Sequence, residues 1–122
     1  MDMPRIERCS TGIVGAGACH PLMRVPTGFG GITITAAYYD PGIAAGTPGL
    51  TYLVDAGTAL GTAQSATVGT ITAANGTFTA DVQKAFNLTS TPYVAEGHWI
   101  SIFPTAALLA SSAVIIEFKP GK

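Results

Sequence analysis

The sequence predicts an all-β domain, an antiparallel β-sandwich preceded by an extended N-terminal arm. From residue 28 onward, short runs rich in Ile, Val, Thr, Tyr and Phe recur at spacings of roughly ten to fifteen residues, and turn residues close each run. No amphipathic helix separates these runs, as it would in a parallel βαβ sheet. The 122 residues are 48% hydrophobic and 11% charged, which fits one folded domain and excludes a disordered chain.

Each predicted strand follows from alternation or from flanking turn residues. Residues 32–39 alternate with period two and end at Asp40-Pro41-Gly42, a turn signal. Asn75-Gly76 separates two further runs and predicts a tight hairpin, because both residues tolerate a positive φ. Residues 106–110 are the place where a helical turn is expected. The other predicted strands cover residues 50–55, 67–73, 77–82, 84–88, 98–103 and 113–118.

Residues 1–27 differ in character from residues 28–122, and the domain boundary is placed between them. The first segment holds both cysteines, all three methionines and half of the basic residues, with no clean period. Its glycine-rich stretch, residues 12–17, is too flexible to predict a regular element. We predict an extended arm with one short strand.

Charge and hydropathy exclude several classes of function. The net charge is −1 and Lys and Arg form no cluster, so binding to nucleic acid by phosphate neutralisation is not expected. The longest apolar stretch, residues 106–116, is far shorter than the ~20 residues of a membrane span. The N-terminus is mixed in charge and lacks an apolar h-region, so no secretory signal is predicted.

The residues that could form a catalytic, cofactor or metal site show no pattern that predicts one. The run IVGAGA at residues 13–18 is like the opening of a dinucleotide-binding loop, but Pro21 and the glycines beyond it prevent the crossover helix. Cys9, Cys19 and His20 match no zinc spacing. A disulfide between the two cysteines stays open, although a chain made in the cytosol favours reduced thiols.

Glu96 and His98 are the nearest approach to an acid–base pair. If they lie on one strand, their side chains share a face and can hydrogen-bond. No nucleophile has a recognisable motif around it, so we predict a structural role and no enzymatic activity. The aromatic residues leave two readings open, a sugar-binding platform or core packing. They are Trp99, Tyr38, Tyr39, Tyr52 and Tyr93.

Residues 22–34, LMRVPTGFGGITI, resemble the opening of small head-decoration and fibre-type proteins of tailed bacteriophages. Such chains pass from an arm through a Pro and Gly-Gly-Ile stretch into their first strand. The segments LVDAGT at residues 53–58 and YVAEGHWI at residues 93–100 fit the same type. The resemblance covers about the last hundred residues, and it lies in pattern and composition.

The resemblance implies a jelly-roll-like sandwich that acts as a capsid decoration protein in the virion. It implies a homotrimer, with the major capsid protein or another virion protein as partner, and it supplies no catalytic residues. In such proteins an arm makes the capsid or neighbour contact. The residues expected to do so here are Ile6, Ile13, Val14, Leu22, Met23, Arg24 and Val25. The alternative, from another class, is a carbohydrate-binding or adhesin-like module.

Overall fold

A computed structural model describes residues 5–10, 17, 19–41, 50–58, 66–72, 78–79, 82–90, 92–105 and 112–122. These residues form strands in two antiparallel sheets and contain no helix, which confirms the predicted all-β sandwich. The strands are β1 (Arg5–Ser10), β2 (His20–Arg24), β3 (Ile32–Asp40), β4 (Thr51–Asp55), β5 (Ala66–Ile71), β6 (Lys84–Ala85), β7 (Asn87–Leu88), β8 (Tyr93–Val94), β9 (Trp99–Pro104) and β10 (Ala113–Pro120).

The first sheet has the order β1-β10-β3-β6, and β8 also pairs with β3. The second sheet has the order β2-β9-β4-β5-β7. The long pair of β10 with β3 runs from Ala113 opposite Asp40 to Pro120 opposite Ile32. Alternate residues of these strands and of β9 point between the sheets, as the period of a half-buried strand requires. Together with residues of β4 and β5, they build a core that includes Ile32, Ile34, Tyr39, Leu53, Ile71, Ile100, Ile102, Val114, Ile116 and Phe118.

The strand predicted over residues 32–39 is confirmed as β3, but a bulge interrupts its alternation. Glu117 pairs with Ala36 and Phe118 pairs with Ile34, so Thr35 is an extra residue on β3. Thr35 is exposed and Ala36 is half-buried, while the residues on either side of them are buried. The bulge shifts the phase of the alternation, which keeps both halves of the strand in contact with the core.

Residues 84–88 do not form the one strand that was predicted. β6 pairs with β3 in the first sheet, whereas β7 pairs with β5 in the second sheet. Phe86 lies between them with its side chain buried in the core, and its amide donates to the carbonyl oxygen of Ala37 at 2.8 Å. The chain therefore changes sheets at a single buried aromatic residue.

Within residues 1–27, the structure describes two strands where one short strand was expected. β1 lies at the edge of the first sheet beside β10, and β2 lies at the edge of the second sheet beside β9. Cys9 on β1 and Val25 after β2 belong to the buried core. The Asn75-Gly76 hairpin and the helical turn at residues 106–110 lie outside the described residues.

Candidate functional site

The N-terminal strand β1 is the most exposed strand of the sandwich. Its residues 5–8 are exposed on both faces of the strand, and Cys9 is the residue that reaches the core. Ile6 leaves 67% of its surface in contact with solvent. Arg5 stacks over the ring of Phe29, with 4.7 Å from the guanidinium carbon to the ring centroid. Ile6 is thus a single exposed hydrophobic residue between the charged residues Arg5 and Glu7.

The outer face of the first sheet continues this exposed region. Ile6 lies opposite Glu117, which lies opposite Ala36, and Arg8 lies opposite Ile115, which lies opposite Tyr38. We call these six residues the outer face. Apart from exposed Ile6 and Arg8, its members are half-buried. Arg8 extends to Asp40 at 3.5 Å, an exposed ion pair that contributes little stability.

The residues predicted to contact a capsid or neighbour fall in different environments. Leu22 and Met23 are half-buried and pack against the core, and Arg24 is exposed. The assignment of Val25 to the contact is wrong. Its side chain is fully buried and its backbone bonds to the turn before β9, so it offers no contact surface. Ile6, as described above, is exposed. Ile13 and Val14 lie outside the described residues.

His98 does pair with a carboxylate, but with Asp55 and not with Glu96 as predicted. Its Nδ1 lies 2.9 Å from Oδ1 and 3.1 Å from Oδ2 of Asp55. The same Oδ1 accepts a hydrogen bond from the amide of Gly57 at 2.9 Å. Residues 95–98 form a turn with Gly97 at φ +76°, so the alternation that would align Glu96 with His98 does not apply. The pair joins the end of β4 to the start of β9.

A carboxylate beside Nδ1 orients an imidazole in the way that catalytic dyads require. Catalysis by such a pair also needs a nucleophile or a bound substrate near Nε2. The His98 side chain is 32% exposed and that of Asp55 is 17% exposed, so the pair lies at the rim of the sandwich. Through Nδ1 the pair links the end of β4 to the start of β9.

Glu96 instead fastens the loop before β3. Its Oε1 accepts hydrogen bonds from the amides of Gly28 at 3.0 Å and of Gly30 at 2.7 Å. One carboxylate oxygen thus fixes the path of the loop that leads from β2 to β3. This loop carries Phe29, on which Arg5 of β1 stacks. Glu96 therefore supports the position of the N-terminal strand indirectly.

The five aromatic residues do not converge on one platform. Tyr39 is buried and packs on Phe78, with ring centroids 4.7 Å apart, and Tyr52 packs on Phe103 at 6.1 Å. Tyr93 borders an open cleft of about 460 Å³, with the hydroxyls of Thr33 and Ser90 nearby. Lys122 covers the Tyr93 ring at 5.0 Å. The remaining two, Tyr38 and Trp99, are half-buried on different sheets.

Both cysteines carry free thiols, so they form no disulfide with each other in this structure. Burial raises the pKa of Cys9 to about 11, and the charge of Glu7 adds to this rise. Burial also raises the pKa of Cys19, while a hydrogen bond with Ser101 opposes the shift. Across the described residues, no three His, Cys, Asp or Glu side chains are grouped so as to hold a metal ion. No helix in that part of the chain could span a membrane.

Sequence reasoning missed Asp55 as the partner of His98 and missed the cleft beside Tyr93. Asp55 and His98 are 43 positions apart, so only the pairing of β4 with β9 reveals that they meet. Comparison of this chain with protein-family models, with curated proteins and with solved structures finds no match.

Proposed function

We propose that this chain is a non-enzymatic structural protein of a tailed-phage virion that decorates the outer capsid surface through protein–protein packing. The observation that carries the proposal is the surface of the sandwich. It presents an exposed Ile6 on an edge strand, and the rest of the outer face has three uncharged members, Ala36, Ile115 and Tyr38. The chain is 11% charged, less than half of the fraction of about 25% that is typical of soluble domains.

A surface with few charges is inexpensive to remove from water, because burying an unpaired charge carries a large desolvation cost. Ile6 and Val82 are the large hydrophobic residues that the described part of the chain exposes. On a virion, each weak contact of this kind is repeated by symmetry, and the repeated contacts act together. A rigid sandwich with few charged residues suits that use. The resemblance of residues 22–34 to decoration proteins points to the same function.

The N-terminal segment supplies the surface that we assign to the contact. Ile6, Leu22, Met23 and Arg24 all belong to the two edge strands, β1 and β2. β1 and β2 lie at the edges of different sheets and contact each other, so one face of a capsid subunit can reach both. Val25 is left out because it is buried.

The direct test is to look for the chain in virus particles. Particles are banded on a density gradient from a culture of the organism that encodes the chain, and mass spectrometry counts its copies. We expect many copies per particle. Ile6→Glu should lower that copy number, while Val82→Glu serves as the matched control at the other exposed hydrophobic residue. Particles that lack the chain would overturn the proposal.

Solution mass gives a second test, because the resemblance to decoration proteins implies a trimer. Light scattering across a dilution series should give three times 12.4 kDa. A concentration-independent trimer supports the virion proposal, while a strict monomer weighs against the trimeric form of it.

A second candidate, a carbohydrate-binding module, is favoured by the cleft beside Tyr93. A cleft bordered by an aromatic ring and a few polar side chains has the general composition of a small-molecule site. Ser90 and Lys122 are exposed at the cleft, so Ser90→Ala and Lys122→Ala should abolish binding on a glycan array without lowering the melting temperature. The absence of any glycan signal for the unmodified chain would exclude this candidate.

A further inference from the structure

We propose that the cleft beside Tyr93 binds a saccharide that carries a carboxylate, such as a uronic or sialic acid, and that Lys122 and Lys119 select the acid. The inference rests on the second candidate function above, because it names the class of sugar for the same cleft. It leaves the virion proposal intact. β8 and β1 lie on opposite sides of the β10–β3 pair in the first sheet, so a ligand beside β8 does not compete with a contact at Ile6.

The cleft has the size of a small-molecule site and a fixed wall. Its volume is about 460 Å³, within the range of roughly 300–1,000 Å³ for such sites. The pairing of β3 with β8 places Thr33 opposite Tyr93, and the Tyr93 hydroxyl donates to the carbonyl oxygen of Gly30 at 2.7 Å. The wall is therefore in place before a ligand arrives, which lowers the entropy lost on binding. The described lining residues are Thr33, Ser90, Pro92, Tyr93 and Lys122.

The charge on the described lining of the cleft is positive. Lys122 is its charged member, and none of the other four described lining residues is acidic. Nζ of Lys122 lies 5.0 Å from the centroid of the Tyr93 ring, a cation–π contact that holds the ammonium beside the cleft. An ammonium has three N–H donors, so it can keep this contact and also donate to a ligand carboxylate.

A second cation begins next to the cleft on the same face of the sheet. Lys119 of β10 pairs with Thr33 of β3, which pairs with Tyr93 of β8. Opposed residues of an antiparallel pair share a face, with Cβ atoms about 5 Å apart, so the long side chain of exposed Lys119 can reach a ligand above Thr33. Neither lysine forms an ion pair with a described carboxylate. Two unpaired cations at one cleft favour an anionic ligand.

The described carboxylates closest along the chain leave this charge uncompensated. Glu96 follows the cleft tyrosine by three residues, but its Oε1 accepts from two loop amides at 3.0 and 2.7 Å. Glu117 shares a face of β10 with Lys119, but it lies opposite Ala36 and forms no ion pair with a described lysine. A carboxylate supplied by a ligand therefore meets cations that the described carboxylates do not neutralise.

The hydroxyl groups of the cleft suit the remainder of a sugar. Thr33 Oγ1 donates to the carbonyl oxygen of Gly121 at 2.7 Å, and the Tyr93 hydroxyl donates to the loop, so each oxygen keeps the capacity to accept from a ligand hydroxyl. The exposed Ser90 hydroxyl has no hydrogen-bond partner among the described residues and can donate. An acidic saccharide supplies both complements, hydroxyl donors and a carboxylate acceptor.

The test compares acidic sugars with matched neutral sugars. The probes are methyl glucuronide with methyl glucoside, methyl galacturonide with methyl galactoside, and sialyllactose with lactose. Each is titrated into the ¹⁵N-labelled chain, and amide shifts in NMR spectra give the Kd and the location. At low salt, at least one acid should bind with a Kd about tenfold or more below that of its neutral partner, with shifts at Thr33, Ser90 and Tyr93. Added salt should weaken binding of the acid, because it screens exposed charges.

Charge variants test the assigned lysines. Lys122→Glu should raise the Kd for that acid about tenfold or more, and Lys119→Glu should raise it by a smaller factor. Lys122→Arg keeps the positive charge and should retain binding. Lys84→Glu makes the same charge change on β6, opposite Tyr39 at the other end of β3, and is the control that should leave the Kd unchanged. Unchanged melting temperatures show that the variants are folded.

The outcomes separate this inference from the function on which it rests. Equal Kd values for the acids and their neutral partners would overturn the inference and leave the carbohydrate candidate standing. Binding of an acid that Lys122→Glu does not weaken, or shifts that lie away from the cleft, would overturn it as well. If none of the three acids binds, the inference is wrong, and the glycan array described above decides the carbohydrate candidate separately.

Discussion

The phenol ring of Tyr93 occupies the space in which a side chain at Gly31 would begin. A Cβ atom built on Gly31 would overlap the ring carbons and the hydroxyl oxygen of Tyr93. Gly31 also has a φ of +82°, a conformation that other residues adopt at a cost. The Tyr93 hydroxyl donates a hydrogen bond to the carbonyl oxygen of Gly30 at 2.7 Å, which fixes the ring in this position. Glycine is therefore required at position 31 for two reasons, the positive φ of its backbone and the closeness of the Tyr93 ring.

Gly31→Ala should lower the free energy of unfolding by about 2–4 kcal/mol, because strain at positive φ adds to overpacking against Tyr93. Gly30→Ala is the matched control, since Gly30 has a φ of +68° but open space around its Cβ position. It should cost only about 1 kcal/mol. In a Tyr93→Ala background the cost of Gly31→Ala should fall toward that of the control. Equal losses for the two alanine variants in urea denaturation would contradict the overlap.

The strands that sequence reasoning found are those with a buried face. β3, β4, β9 and β10 combine β-branched or aromatic residues with at least one side in the core, so their pattern is visible. β1 was not found because residues 5–8 are exposed on both faces, and an edge strand of that kind has no hydrophobic period. β8 has only two residues. The bulge at Thr35 and the sheet change at Phe86 arise from tertiary packing, which local pattern does not contain.

The candidate site was less predictable than the fold. His98 was considered as a possible partner of Glu96, but its actual partner, Asp55, depends on the register of β4 against β9 and on the turn at Gly97. Whether a residue can contact a partner depends on its exposure. The sequence alone could not show that Val25 is buried and that Arg24 beside it is exposed. Both were assigned to the contact on position in the chain alone.

Asp55→Ala should lower the free energy of unfolding by about 1–3 kcal/mol, because the carboxylate accepts from Gly57 and pairs with His98. His98→Ala removes only one of these contacts and should cost less. Asp40→Ala is the control at another strand end, where the carboxylate makes only an exposed ion pair with Arg8, which contributes little stability, and Oδ1 has no hydrogen-bond partner among the described residues. Its loss should change stability little. Urea denaturation compares the two variants. If His98→Ala lowers the free energy of unfolding more than Asp55→Ala does, the Asp55 carboxylate does not stabilise both His98 and Gly57.

Glu96→Ala should expose the amides of Gly28 and Gly30, whose hydrogen bonds to Oε1 it removes. A charged acceptor of this kind contributes on the order of 1–2 kcal/mol, so hydrogen exchange at both amides should quicken about tenfold or more. Glu117→Ala changes a half-buried carboxylate on β10 and is the control. Unchanged exchange at Gly28 and Gly30 in the Glu96 variant would show that another group protects the loop.

Cys9 should make the stability of the fold depend on alkaline pH. Its pKa is near 9 in an unfolded chain and about 11 in the folded protein, chiefly because the thiol is buried. Between these values the unfolded state releases a proton that the folded state keeps, so the stabilisation is complete below pH 9 and is lost as the pH rises to 11.

This loss should amount to about 2–3 kcal/mol at pH 11, since one pKa unit corresponds to about 1.4 kcal/mol. Burial raises the pKa of Tyr39 as well, which adds a change of the same sign at high pH. Cys9→Ala removes the thiol and keeps Tyr39, so the difference between the two proteins isolates Cys9. Urea denaturation at intervals from pH 8 to pH 11 measures that difference. Parallel stability curves would mean that the thiol ionises in the folded protein as readily as in the unfolded chain.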